Sequence, residues 1–106
     1  MKRNGKGIGV KALMYQKLQA FINQFVTVGT TIGGQNSFWR ARLLEVTPTH
    51  FEMELFSNDG EFEGYFCGPI EAITSLRHGT RKLKELSLKV AYNTTQKLMD
   101  LQLETV

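Results

Sequence analysis

Carboxylates recur in pairs through the middle of the chain, Glu52 with Glu54 and Glu61 with Glu63. Two carboxylates can flank a scissile bond, one as acid and the other as base or nucleophile. That chemistry needs surroundings that push the two pKa values apart. Here each pair sits at alternate positions between apolar residues, in Phe51-Glu52-Met53-Glu54-Leu55 and Glu61-Phe62-Glu63-Gly64-Tyr65-Phe66. Such alternation places both members on the wetted side of a strand, a solvated sheet face. His50, His78 and Cys67 are too few and too scattered for a zinc site. Ser37 and Ser57 lack the context of a nucleophile elbow. Gly5-Lys6-Gly7-Ile8-Gly9 has neither the preceding strand nor the Walker spacing of a phosphate loop. The expectation is a protein that is not an enzyme and carries no cofactor or metal.

Charge layout points instead to binding. The net charge of the 106 residues is only +3, but it is unevenly spread. Residues 1–24 carry Lys2, Arg3, Lys6, Lys11 and Lys17 with no acid. Residues 25–76 set Arg40 and Arg42 against Glu45, Glu52, Glu54, Asp59, Glu61, Glu63 and Glu71. From Arg77 onward Arg81, Lys82, Lys84, Lys89 and Lys97 outweigh Glu85, Asp100 and Glu104. An acidic middle between basic ends implies a polarised surface.

The elements that must carry these groups follow from periodicity. One domain is expected, mainly β, with 42% hydrophobic and 22% charged residues. Residues 1–10, with Gly5, Gly7 and Gly9 among lysines, read as a flexible basic arm. Met14, Leu18, Phe21, Ile22 and Phe25 share one helical face, so an amphipathic helix is expected within residues 11–24. Residues 25–76 divide into strands at 25–32, 38–46, 50–56, 61–66 and 70–76, separated by Gly33-Gly34-Gln35-Asn36, Thr47-Pro48-Thr49, Ser57-Asn58-Asp59-Gly60 and Cys67-Gly68-Pro69. Turns this short force antiparallel pairing, in a small five-stranded SH3-like barrel. Trp39, Ala41 and Leu43 share one face and Arg40 and Arg42 the other; Leu44 and Val46 switch parity, which implies a bulge.

The C-terminal extension, residues 77–106, fits two periods. Leu86, Leu88, Val90 and Tyr92 alternate, as do Met99, Leu101 and Leu103. A turn at Asn93-Thr94-Thr95-Gln96 would then set Lys89 opposite Asp100, which favours a hairpin. Leu83, Leu86, Val90, Thr94, Leu98 and Leu101 equally suit a helix. The single Cys67 forms no internal disulfide, and there is no signal-peptide pattern or long apolar run. A cytoplasmic protein without membrane contact is expected.

A short helix followed by five short strands, the second long and bent, resembles the Sm/LSm (Hfq-like) family over residues 18–76. Leu18-Gln19-Ala20-Phe21-Ile22-Asn23 is similar to that family's helix segment. Ala41-Arg42-Leu43-Leu44-Glu45-Val46 with Phe51-Glu52-Met53-Glu54-Leu55 falls at the first Sm motif, and Phe66-Cys67-Gly68-Pro69-Ile70-Glu71-Ala72-Ile73 at the second. The family's Gly, Asp and Asn stand here as Ala41, Thr47 and Glu52, and the Arg before the Gly of the second motif as Cys67. The resemblance implies a homo-oligomeric ring in which the fourth strand pairs with a neighbour's fifth. It also implies a partner that is RNA or single-stranded DNA and a role in RNA or DNA processing. Phosphate contacts are then expected from Lys2, Arg3, Lys6, Arg40, Arg42, Arg77, Arg81, Lys82 and Lys84. Base contacts are expected from Tyr15, Gln19, His50 and Phe51. The alternative is a structural or protein-interaction module that uses the same barrel for self-assembly.

Overall fold

The computed structural model describes the backbone of residues 5–105 and the side chains of residues 12–101. Two helices flank five antiparallel strands: α1 (Gly5–Gln19), β1 (Phe25–Ile32), β2 (Gln35–Val46), β3 (His50–Phe56), β4 (Phe62–Pro69), β5 (Ile73–His78) and α2 (Arg81–Thr105). The strands form one sheet in the order β4-β3-β2-β1-β5. β4 and β5 are therefore its two margins.

β1 is rich in β-branched residues, which fit a pleated surface. It turns into β2 through Gly33 and Gly34, both at positive φ (60° and 78°), as a two-residue hairpin loop matched to the strand twist requires. β2 begins three residues before the expected position, because Gln35, Asn36 and Ser37 continue the pairing with β1. The parity switch is real: the β2–β3 register shifts between Leu43 and Glu45. Ala41, Leu43 and Val46 are all buried as a result. Ser57 shapes the next turn, its Oγ accepting from the backbone N–H groups of Asp59 and Glu61. Pro69 leads into a single 3-10 turn, Ile70–Ala72, so the fifth strand starts at Ile73 rather than at residue 70.

The main core lies on one face of the sheet. It joins Leu18 of α1 to Val26, Val28, Ala41, Leu43, Phe51, Met53, Ile70 and Ile73. The buried Thr30 hydroxyl accepts from the Trp39 indole at 2.9 Å, which satisfies both groups.

The helices depart from expectation. α1 begins at Gly5, so residues 5–10 are helical rather than an arm, although glycine is a weak helix former. It ends at Gln19, earlier than residue 24. Ala20, Phe21 and Ile22 donate to carbonyls three residues back, and Asn23 stands at φ 68°, a left-handed stop. The hairpin expected after residue 77 is a helix instead. Gly79 (φ 67°) turns the chain, and Thr80 Oγ1 accepts from the Leu83 N–H at 3.2 Å as an N-cap. Leu83, Leu86 and Val90 then bury against Phe56 and Phe25 on the second face of the sheet. Three such side chains contribute roughly 5–9 kcal/mol of apolar burial before entropy, more than an isolated hairpin could recover. The Lys89–Asp100 pairing does not form, and Leu88 and Met99 are exposed.

Candidate nucleic-acid interface

Strand alternation sorts the side chains of the second face into ranks. Phe25 pairs with Arg42, Arg42 with Glu54 and Glu54 with Tyr65. One rank along, Arg77 pairs with Thr27 and Thr27 with Arg40. Phe38 lies two residues before Arg40 and is 71% exposed. α2 crosses this face from the β5 side towards the turn between β3 and β4. There Asn93 Nδ2 donates to the carbonyls of Asp59 (3.1 Å) and Gly60 (3.0 Å). Lys89 Nζ donates to the Asn58 carbonyl at 3.1 Å.

That crossing creates a cleft of about 240 Å³ lined by Arg40, Asn58, Lys82, Glu85, Leu86 and Lys89. Lys82 and Lys89 stand two helical turns apart, on the same side of α2. Glu85, the only acid among the described residues of the lining, is also ion-paired to Arg81 at 3.5 Å. Arg40 and Asn58 extend the lining into a second cleft of about 320 Å³, with Phe38, Trp39, Leu55, Phe56, Ser57 and Glu63. Cations and an exposed ring thus sit side by side.

Arg42 is differently placed. Its Nε and Nη2 both donate to Glu54 Oε1, at 2.7 and 2.6 Å. Its guanidinium lies 5.6 Å from the Phe25 ring centroid and 6.0 Å from that of Phe56. The charge is committed inside the fold rather than offered to a phosphate.

The expected base-contacting residues do not share one exposed surface. Phe51 is buried and stacks on Phe66 at 5.8 Å; its alternation with Glu52 puts it on the core side, so it has no free face for a base. Tyr15 is half-buried against the core, and Gln19 is exposed at the end of α1. His50 is exposed, with Nδ1 2.6 Å from Thr49 Oγ1. It lines a small pocket of about 80 Å³ with Glu45, Thr47, Phe51, Glu52 and Cys67, a setting that repels phosphate. Desolvation, followed by the charge and hydrogen bonding of Glu52 and the charge of Glu45, pushes the Cys67 thiol above its ordinary pKa.

Arg77 and Lys84 are exposed, and Lys84 lines a separate cleft with Asn23, Gln24, Phe25, Gly79, Leu83 and Ser87. Lys2 and Arg3 lie outside the described residues; Lys6 falls within α1, its side chain outside them. Of the expected set, Arg40 and Lys82 are brought together. Lys89, Asn58 and Phe38 were missed. Phe38 was within reach of sequence reasoning, since it shares strand parity with Arg40 and Arg42. Among the described residues, no group of three or more His, Cys, Asp or Glu is arranged to hold a metal ion. None of their helices is long and apolar enough to cross a membrane. No protein-family model matches the sequence, and no curated protein is similar to it.

Proposed function

We propose that the protein binds single-stranded nucleic acid, RNA foremost, across the face that the first half of α2 overlies. The observation that carries this reading is the convergence of Arg40, Lys82 and Lys89 on one cleft beside the exposed ring of Phe38. Cations that track a backbone next to an aromatic platform for a base are the elements of sequence-tolerant single-strand recognition. A cleft of this size suits one phosphate step better than the broad surface that a duplex presents. Assembly into a homo-oligomeric ring is part of the proposal. The sheet carries register shifts in β1–β5, β2–β3 and β3–β4, the irregularities that let strands curl into an SH3-like barrel. Its margins, β4 and β5, are the strands that a neighbour's edge would cover. A ring would repeat the basic cleft and multiply a weak contact. A role in RNA or DNA processing follows from that activity.

The test is fluorescence anisotropy with labelled U-rich, A-rich and mixed-sequence strands, and a duplex control. Three phosphate contacts at a single-strand slope of about −0.7 each imply a roughly 20-fold loss of affinity between ~0.05 and ~0.2 M salt. Replacing Arg40, Lys82 and Lys89 together by Gln flattens that slope. Phe38→Ala weakens binding by about 1–3 kcal/mol and leaves the slope unchanged, because stacking releases no counterion. Absence of binding at the lower salt, or undiminished binding by the triple variant, refutes the proposal.

A further inference from the structure

The cleft between α2 and the sheet holds more than a phosphate needs. A phosphodiester offers acceptors alone, and Arg40, Lys82 and Lys89 supply donors for it. The same lining also contains Leu86 and Glu85. Lys82, Glu85, Leu86 and Lys89 fall at i, i+3, i+4 and i+7, on one face of α2, so the carboxylate stands between the two lysines. Neighbours at these spacings lie about 5–6 Å apart at Cβ, the scale on which a sugar and its phosphate follow one another along a strand. Among the described residues Glu85 has one ion pair, from Arg81 Nε to its Oε2 at 3.5 Å, with side chains 91% and 55% exposed. A pair so loose and so exposed adds little to the helix, and it leaves Oε1 without a described partner.

An acid at this point weakens the attraction of every phosphate. It suits only a ligand that brings a hydrogen-bond donor next to the phosphate. Deoxyribose and phosphodiester within a strand have no donor between them, so a DNA backbone cannot use the carboxylate. An RNA backbone has one donor per nucleotide, the 2′-hydroxyl. The buried Leu86 and the stems of the two lysines give the C–H surface of the sugar an apolar floor. We propose that Glu85 is the residue that tells RNA from DNA in this cleft. Its carboxylate accepts a hydrogen bond from a ribose 2′-hydroxyl, while Arg40, Lys82 and Lys89 hold the adjoining phosphates. The proposal rests on the single-strand reading above and adds to it the sugar that the site selects. The carboxylate repels the phosphates of both polymers alike, and only RNA offsets that repulsion with a charge-assisted hydrogen bond.

The experiment measures anisotropy at ~0.05 M salt with one sequence of adenines and cytosines, made as RNA, as DNA and as 2′-fluoro RNA. The bases are then identical, and fluorine keeps the RNA sugar shape while removing the donor. The full chain should bind RNA roughly tenfold more tightly than the other two, which should bind alike. Glu85 is exposed and alanine favours a helix, so Glu85→Ala keeps α2 folded. That variant should bind DNA and 2′-fluoro RNA severalfold more tightly, gain nothing for RNA, and hold all three within about twofold of one another. If Glu85 acted only within the helix, its loss would move all three affinities together. Equal binding of RNA and DNA by the full chain, 2′-fluoro RNA binding as RNA does, or a preference that survives Glu85→Ala overturns the proposal and leaves single-strand binding standing. Absence of binding by all three strands removes both.

Discussion

Gly60 joins the sheet to α2, and its replacement by Ala measures how firmly the helix is seated. The residue has φ 80° in the turn between β3 and β4. A Cβ there would stand 2.8 Å from Lys89 Cβ, and 2.9 Å from both the Lys89 carbonyl carbon and the Val90 nitrogen. The left-handed backbone alone costs an alanine about 1–2 kcal/mol. The contact is with helix backbone, which cannot swing aside, so α2 must shift. That shift strains the bonds from Asn93 to Asp59 and Gly60 and from Lys89 to Asn58, a further 2–3 kcal/mol or so at about 1 kcal/mol each. Gly34→Ala supplies the control. Its φ is 78° and nothing lies within 4 Å of the added carbon, so it registers backbone strain only. Urea unfolding followed by the single tryptophan, Trp39, should separate the two midpoints by about 1 M, for a slope of about 2 kcal/mol/M. Gly60→Ala should also weaken strand binding, because it moves Lys82 and Lys89 away from Arg40. Equal destabilisation by the two substitutions would refute the seating of α2 on this turn.

Thr80→Ala removes the side-chain cap of α2 and should lower stability by about 1 kcal/mol, with Thr80→Ser restoring most of it, as measured by urea unfolding; an unchanged midpoint would exclude the cap. Glu52→Gln removes the neighbouring charge and the charged acceptor that help hold the Cys67 proton. The thiol pKa should fall, so alkylation by iodoacetamide near neutral pH should speed up severalfold and its pH profile should move to lower pH. An equal or slower rate in that variant contradicts the assigned cause.

The strands were legible because each carries its own alternation and most are bounded by turn residues; Cys67-Gly68-Pro69, expected as a turn, instead ends β4, paired with Glu52, Phe51 and His50. Met53 between two carboxylates, and the parity switch after Leu43, needed no long-range information. The C-terminal segment was harder, since its apolar residues satisfy two periods at once. What separates them is local: Gly79-Thr80 directly before Arg81 is a turn followed by an N-cap, a helix-start signal that outweighs alternation at Leu86, Leu88 and Val90. The lone Asp100 opposite Lys89 could not, because an exposed ion pair contributes about 1 kcal/mol or less, well short of burying Leu83, Leu86 and Val90. The site was legible in its residue types and not in its assembly. Arg40 lies in the acidic stretch and Lys82 and Lys89 in the basic one, and only the path of α2 across the second face joins them.

That path also decides which surface suits a polyanion. In the sequence the strands look hostile to phosphate, with seven acids against two arginines. Folding divides those charges. Glu54 is held by Arg42, and Glu45 and Glu52 gather around Cys67 and His50 in a separate pocket. Arg40 is left facing two lysines of α2, with Glu85 beside them already paired to Arg81. The described lining of the cleft thus holds three cations, all exposed and so open to screening by salt, against one shared carboxylate. A strand drawn to this field would run past Phe38 and away from His50. His50→Ala should therefore leave strand affinity within about twofold in the anisotropy assay, a change of under ~0.5 kcal/mol, while Arg40→Gln lowers it severalfold. The opposite ranking would place the nucleic-acid path at the His50 pocket and would show that proximity to Glu45 and Glu52 does not repel it.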